Sequence, residues 1–110
     1  MLTVTVQSLE EVTILQCFGR IVRGEETALL CAAVQQNDRN IILDLSEVDV
    51  IDAAGIGLLV SLQAAGIYLK LMNPTKRVRE ILKVTELESV FEICEFHSTE
   101  EILDGASARV

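Results

Sequence analysis

The stretch that decides the fold is DLSEVDVIDAAGIGLL, residues 44–59. It grows out of an aliphatic run, NIILDL at residues 40–45, whose composition is typical of a strand that is covered on both faces. Asp52 then stands where a helix N-cap is expected, and small or apolar residues follow to about Ala65, with Gly66 as the stop. The sequence therefore predicts a strand, a tight turn at Asp52 and a helix.

Strand and helix patterns alternate on both sides of this turn. Upstream, two alternating runs predict a hairpin and one amphipathic run predicts a helix. Downstream, two further strands and two further helices are expected. The strands are LTVTVQ (2–7), VTILQCF (12–18), IYLKLM (67–72) and SVFEICEF (89–96), and the helices are EETALLCAAVQQ (25–36), NPTKRVREILK (73–83) and STEEIL (98–103).

Each of these helices carries its own signals. The first has Leu29, Leu30, Ala33 and Val34 on one face. The second is expected to be capped by Asn73, with Pro74 at its first position and an apolar stripe of Val78, Ile81 and Leu82. The third opens with a capping box from Ser98 to Glu101. The alternation predicts a single α/β domain over residues 1–110, with a mixed central sheet of about five strands and about four helices.

The charge and the cysteines limit the partners that can be expected. The chain has 17 acidic and 9 basic residues, a net charge of −8, which disfavours binding to nucleic acid. Cys17, Cys31 and Cys94 lie among apolar neighbours as reduced cysteines do, and His97 alone cannot form a zinc site. Because no signal peptide is recognisable, we expect a cytoplasmic protein. We also expect neither a metal nor a cofactor.

One segment also has the features of a membrane span. Residues 53–69 carry no charge, and Gly57, Ser61 and Ala65 have the small-xxx-small spacing of packed transmembrane helices. The segment is at the lower limit of spanning length, however, and Gly66 interrupts it. A buried helix followed by a buried strand explains the same residues, so no membrane insertion is expected.

The turn lacks the residues that nucleotide binding or covalent catalysis would need. Gly55 and Gly57 form half of a dinucleotide fingerprint, but Val60 occupies the position of its third glycine. No phosphate-binding loop of the G-x-x-x-x-G-K-[ST] type is present. An esterase elbow would need a serine where Ala53 and Ala54 stand. We therefore expect the glycines to allow tight packing, and we expect no enzymatic activity.

Two groups of charged residues remain to be interpreted. Asp44 and Asp49 lie on opposite faces of the predicted strand, so with Asp52 they are not expected to form a metal site. Lys76, Arg79 and Lys83 share one face of the predicted helix over residues 73–83. That face is either an ordinary solvated surface or one side of a docking surface for an acidic partner.

Two long segments, NIILDLSEVDVIDAAGIGLL (40–59) and LKLMNPTKRVREILKVTELESVFEI (69–93), resemble the STAS domain family of anti-sigma factor antagonists. The resemblance extends over nearly the whole chain. It implies a small, non-enzymatic switch. In the typical member the turn reads Asp-Ser-Ser-Gly, and the partner, an anti-sigma factor with a kinase-type ATPase fold, phosphorylates the serine before the glycine. The phosphorylated form then releases the partner.

Carried onto this sequence, the resemblance places alanine at the phosphoacceptor position. Asp52 matches the aspartate of the turn, Gly55 and Gly57 match the glycines, and Ala54 stands where the serine is expected. Ala53 offers no hydroxyl either, and the helix that follows looks shorter than is usual in the family. The partner-binding residues implied by the resemblance are Asp52, Ala53, Ala54, Gly55, Ile56, Gly57 and Leu58.

Two functions are compatible with these features. The first is a regulatory protein that binds an anti-sigma factor and serine kinase by protein–protein contact, without phosphorylation at the usual site. The alternative is a STAS-type cytoplasmic subunit of an ABC lipid-transport complex, whose partner would be a transporter ATPase or permease. For either function, a monomer or weak homodimer is expected.

Overall fold

The fold is an α/β domain built on a mixed sheet, as the sequence predicts. The computed structural model describes residues 1–36 and 40–95. The predicted final helix from Ser98, together with His97, lies outside these residues. Within them there are five strands and three helices, in the order β1 (Leu2–Ser8), β2 (Thr13–Ile21), α1 (Glu25–Gln35), β3 (Asn40–Ile51), α2 (Ala53–Ala64), β4 (Tyr68–Met72), α3 (Lys76–Val84) and β5 (Glu92–Cys94).

The strands lie side by side in the order of the chain. β1 pairs antiparallel with β2, and β2, β3, β4 and β5 pair parallel with their neighbours. Each of α1, α2 and α3 follows one of the parallel strands, so all three helices begin at the carboxyl ends of these strands. Because such connections are right-handed and the strands are sequential, the three helices lie on one face of the sheet.

The main apolar core lies between this face and the helices. The strands contribute every second residue, as the two-residue period of a strand requires, including Leu15, Cys17, Leu43 and Leu71. The helices contribute Leu30 and Val34 from α1, Ile56, Leu59 and Leu62 from α2, and Val78 and Leu82 from α3. A core made almost entirely of aliphatic side chains is what the low aromatic content of 4% leads one to expect.

The opposite face of the sheet combines apolar and polar residues. Ile14, Ile42 and Met72 belong to a smaller buried cluster, and next to it Gln16 donates a hydrogen bond to Asp44 at 3.4 Å. Asp44 also accepts from the Ser46 hydroxyl at 2.7 Å, so this buried carboxylate has hydrogen-bond partners. The sequence predicts helices over both faces of β3, but the described helices cover only one.

The start of α3 differs from the prediction. The helix is capped by Thr75, whose hydroxyl accepts from the Val78 amide at 3.3 Å, and Pro74 precedes the cap. Asn73 adopts a left-handed conformation with φ +49°, which asparagine tolerates better than most residues. The prediction of Asn73 as the cap and Pro74 as the first helical residue is therefore wrong by two positions, because both residues lie in the connection between β4 and α3.

Leu29 was also assigned wrongly to a buried helix face. Leu30 and Val34 of α1 are fully buried, as predicted, whereas Leu29 is 45% exposed. The buried stripe of α1 is narrower than the sequence suggests. The alanines near Leu29 and Leu30 occur on several sides of the helix, so their positions do not show which of the two leucines faces the sheet.

The three cysteines are free thiols in different environments. Cys17 is buried, whereas Cys31 and Cys94 are half-buried. Burial raises the pKa of the Cys17 thiol to about 12, with a further contribution from the nearby Asp44 carboxylate. The thiol therefore stays protonated near neutral pH and is a weak nucleophile.

The uncharged run over residues 53–69 is divided between α2 and the beginning of β4. No helix in the described part of the chain has both the length and the apolar character that crossing a bilayer requires.

Candidate functional site: the exposed start of α2

The predicted turn lies where β3 ends and α2 begins, at the carboxyl end of the parallel strands. Asp52 is the N-cap of α2, as predicted, and has the extended backbone that such a cap adopts. Its carboxylate accepts a hydrogen bond from the Gly55 amide at 2.9 Å. This bond satisfies one of the amides that the first turn of a helix leaves without a backbone partner.

Asp52 also connects this turn to the loop between β2 and α1. Its second carboxylate oxygen accepts from the Arg23 amide at 3.0 Å, and its own amide donates to the Ile21 carbonyl at 3.3 Å. The hydrogen bond from Arg23 is the main cause that lowers the pKa of Asp52, and the bond from Gly55 is the next. One side chain therefore fixes the two loops relative to each other.

Gly55 allows α2 to approach the sheet closely. A Cβ atom at this position would overlap the Ile21 carbonyl oxygen and would come within 2.7 Å of Cγ1 of Ile51. Any side chain would push the first turn of α2 away from the ends of β2 and β3. The prediction that this glycine serves tight packing agrees with the geometry, and no phosphate cradle is needed to explain it.

Gly57 has a different environment. A Cβ atom there would meet nothing within 4 Å, and Gly57 lies on the exposed side of α2. The two glycines of the turn therefore have separate roles: Gly55 permits internal packing, and Gly57 keeps the outer surface of the helix flat.

The outer surface of α2 is uncharged and made of small residues. Ala53, Gly57 and Ser61, one helical turn apart, are exposed, while Ala54 and Leu58 are half-buried beside them. Surface helices normally carry charged residues on their solvent side, and α2 carries none. We refer to Ala53, Ala54, Gly57, Leu58 and Ser61 as the α2 face. Such a surface lets another protein approach the helix backbone with little loss of side-chain entropy.

The predicted partner-binding residues do not all lie on this face. Ala53, Ala54, Gly57 and Leu58 do, whereas Gly55 and Ile56 are buried beneath it. Asp52 is half-buried and acts through the two loops that it joins. Three of the seven residues therefore support the surface and do not form it.

The basic helix α3 also begins at the carboxyl ends of the parallel strands. The Thr75 hydroxyl, besides capping α3, donates to the Val48 carbonyl at 3.1 Å and so ties the start of α3 to β3. Lys76, Arg79 and Lys83 are all exposed, and Arg79 forms an ion pair with Glu95 at 3.2 Å. Lys76 lies at the start of α3, at the same end of the sheet as the turn, whereas Lys83 lies about 10 Å farther along the helix.

The sequence did not indicate that Arg23 and Thr75 help to position the starts of α2 and α3. The contact between Arg23 and Asp52 joins residues that are 29 positions apart, so no local pattern reveals it. Thr75 stands next to the Asn-Pro pair, which offered a stronger cap signal.

The carboxylates near the turn do not come together as a metal site within the described residues. In residues 1–36 and 40–95, no group of three or more metal-binding side chains converges. Asp44 is buried on one face of the sheet, and Asp49 is exposed. Ala53 and Ala54 place methyl groups, and no hydroxyl, at the start of α2.

The family model of the STAS domain matches residues 4–101 of the chain. The chain belongs to the STAS domain family. The match spans the turn at Asp52, the α2 face and α3. Among curated protein sequences, none matches this chain at a significant level.

Solved structures with the same fold include several anti-sigma factor antagonists. An anti-sigma-factor antagonist (STAS) domain protein from Planctomyces limnophilus superposes with a TM-score of 0.73 at 22% identity, covering 94% of this chain and 97% of that one. Unphosphorylated SpoIIAA, an anti-sigma factor antagonist, gives a TM-score of 0.70 at 19% identity and covers 98% and 99%. The phosphorylated form of this Bacillus protein gives 0.69 at 18% identity and covers 94% and 99%.

A transport-related structure also shares the fold. A sulfate transporter family protein from Wolinella succinogenes superposes with a TM-score of 0.61 at 20% identity, covering 76% of each chain. The STAS fold therefore occurs in more than one functional class, and the fold alone does not choose between them.

Proposed function

We propose that this STAS protein is an anti-sigma factor antagonist-like regulator that binds its partner through the α2 face. The partner is an anti-sigma factor of the kinase-type ATPase fold, and the contact is made in the cytoplasm without a chemical step. The observation that carries the proposal is the α2 face itself: a fully uncharged helix surface that begins at a turn held in place by Asp52.

The proposal includes a difference from the phosphorylated relatives. SpoIIAA has been solved in unphosphorylated and phosphorylated forms. Here Ala54 occupies the phosphoacceptor position implied by the family motif, and Ala53 precedes it. A phosphate at position 54 would add about −1.5 to −2 charges to an uncharged surface. Ala54 has no hydroxyl that a kinase could phosphorylate. Phosphorylation at position 54 therefore does not regulate partner binding.

Charge on the neighbouring elements supports a protein partner. The chain as a whole is acidic, at −8, but the exposed side of α3 is basic. A partner seated on the α2 face would meet Lys76 at the border of the contact. An acidic border on the partner would therefore increase the association rate and would fix the orientation of docking.

The second candidate is a subunit of a transport complex. It is favoured by the structural likeness to a sulfate transporter family protein and by the absence of a phosphoacceptor at position 54. In that function the same α2 face would contact a transporter ATPase or permease and would hold the complex together permanently.

Titration against both kinds of partner tests the proposal. Isothermal calorimetry would use an anti-sigma factor of the kinase type and, separately, a transporter ATPase, both from the same organism. Gly57→Gln enlarges the α2 face at a point where the chain itself offers no obstacle. We expect this variant to bind the anti-sigma factor at least about tenfold more weakly, the cost of losing a packed interface position.

The matched control is Ala64→Gln, at the far end of α2. Ala64 is also exposed, but it lies about 10 Å from position 57 along the helix axis. We expect its affinity to equal that of the unmodified chain. Equal binding by Gly57→Gln would contradict docking on the α2 face. Binding to the transporter ATPase alone would replace the first candidate with the second.

A further inference from the structure

Within residues 1–36 and 40–95, the two edge strands of the sheet, β1 and β5, differ in how well they are protected against pairing with another strand. β5 has only three residues, Glu92–Cys94, and begins with the charged Glu92, while Glu95 follows directly after it. β1 has seven residues, LTVTVQS, with no charged side chain and no proline, and its register with β2 is uninterrupted. Short length, charge and irregularity are common protections of an edge strand, and β1 shows none of them in the described part of the chain.

The hydrogen-bond pattern shows which backbone groups of β1 face outward. The Arg20 amide donates to the Met1 carbonyl at 3.1 Å, so Met1 and Arg20 form a hydrogen-bonded pair of the antiparallel ladder. Such pairs alternate along a strand. The odd-numbered residues of β1 therefore bond to β2, and the even-numbered residues, Leu2 to Ser8, direct their amides and carbonyls to the open edge.

Apolar side chains are exposed beside this open edge on both faces of the sheet. Val6 is 51% exposed on the face that carries the helices. On the other face Phe18, which is paired with Thr3, is 38% exposed. A strand added along β1 would cover apolar surface as well as pair the backbone groups.

We infer that β1 pairs antiparallel with β1 of a second copy of this chain, so that the two sheets become continuous. The register that uses the whole strand places the two-fold axis at Thr5. Val4 of one copy then exchanges backbone hydrogen bonds with Val6 of the other, and Leu2 does so with Ser8. Each Val6 side chain lies against a Val4 side chain, a β-branched pair that stabilises antiparallel strands.

A second copy of β1 fits this edge because an antiparallel strand is complementary to itself in donors and acceptors. No residue of β1 is charged, so neither copy places a charge in the strand pair. The net charge of −8 on each chain produces repulsion between the copies and limits the affinity. Because one strand pair buries far less than a standard interface, we expect a weak dimer, with a dissociation constant of about 10 µM to 1 mM.

Sedimentation equilibrium over this concentration range tests the inference. The unmodified chain of 12.1 kDa is expected to move towards twice that mass as concentration rises. Val6→Lys places a cation at the edge, as natural edge strands do, and should weaken dimerisation at least about tenfold. Val84→Lys is the matched control, because it makes the same charge change on a side chain that is 82% exposed on α3.

Site-resolved amide exchange distinguishes this dimer from any other. The amides of Val4 and Val6 should become protected as concentration rises, whereas those of Thr3 and Thr5 are already bonded to β2 and should not change. A monomer throughout the range would overturn the inference. A dimer that Val6→Lys and Val84→Lys affect equally, or one without protection at Val4 and Val6, would also overturn it.

Discussion

The carboxylate of Asp52 lies 3.0 Å from the amide nitrogen of Arg23, a residue 29 positions earlier in the chain. The same carboxylate caps α2 through Gly55. One acidic side chain therefore positions both the loop after β2 and the first turn after β3. These two hydrogen bonds fix the start of α2, where the α2 face begins.

Replacing Asp52 should lower stability in a pH-dependent way. Hydrogen bonds hold the pKa of Asp52 below its ordinary value of 3.8, so the folded chain binds the proton less readily than the unfolded chain. The stabilisation is complete above that ordinary value and is lost as pH falls through the lower, folded pKa. Asp52→Asn should therefore melt a few degrees below the unmodified chain at neutral pH, and the difference should shrink below about pH 4.

Thermal unfolding followed by circular dichroism at a series of pH values measures this difference. Asp49→Asn provides the control, because Asp49 is an exposed carboxylate on the preceding strand and should give a small difference at every pH. A melting temperature of Asp52→Asn that equals that of the unmodified chain at neutral pH would contradict the role given to Asp52.

The two glycines of the turn should respond in opposite ways to alanine. Gly55→Ala forces a methyl group against the Ile21 carbonyl and the Ile51 side chain, which should cost about 1–3 kcal/mol. Gly57→Ala meets no neighbour and improves helix propensity by up to about 1 kcal/mol. Each kcal/mol corresponds to about 4–8 °C in Tm for a domain of this size. Equal shifts in the two variants would refute the assignment of separate roles.

Much of the fold could be predicted from sequence because its signals are local. The aliphatic run before Asp52, the cap at Asp52 and the stop at Gly66 all act within a few residues, and the structure confirms them. The α3 cap was misassigned because Asn73, Pro74 and Thr75 are all plausible near a helix start, and only the backbone conformation of Asn73 decides among them.

The proposed docking surface was less accessible to sequence analysis. Its motif identified the segment from Asp52 to Leu58, but burial separates that segment into residues that form the surface and residues that support it. Gly55 and Ile56 are buried and Gly57 is exposed, although the sequence treats both glycines alike. The open edge of β1 was also not recognised, since a strand pattern does not state which strands are at the edges of a sheet.

A negative charge at position 54 should separate folding from partner binding. Ala54→Glu places a carboxylate in the first turn of α2, where the helix dipole favours it by about 0.3–1 kcal/mol, partly offset by repulsion from Asp52. Stability should therefore be unchanged or slightly raised, whereas affinity for the anti-sigma factor should fall at least about tenfold. Ala54→Gln, of similar size without the charge, should bind more tightly than Ala54→Glu. Equal affinities would show that charge at this position does not matter to the partner.

The most direct measurement compares binding to a kinase-type anti-sigma factor before and after incubation with ATP, for the unmodified chain and for Ala54→Ser. The unmodified chain should bind equally well in both conditions and should gain no phosphate by mass spectrometry. Ala54→Ser should acquire one phosphate and lose affinity, while Ala53→Ser, the neighbouring control, should behave like the unmodified chain. Release of the unmodified chain after incubation with ATP, or failure to bind the anti-sigma factor in either condition, would contradict the proposal of a constitutive antagonist.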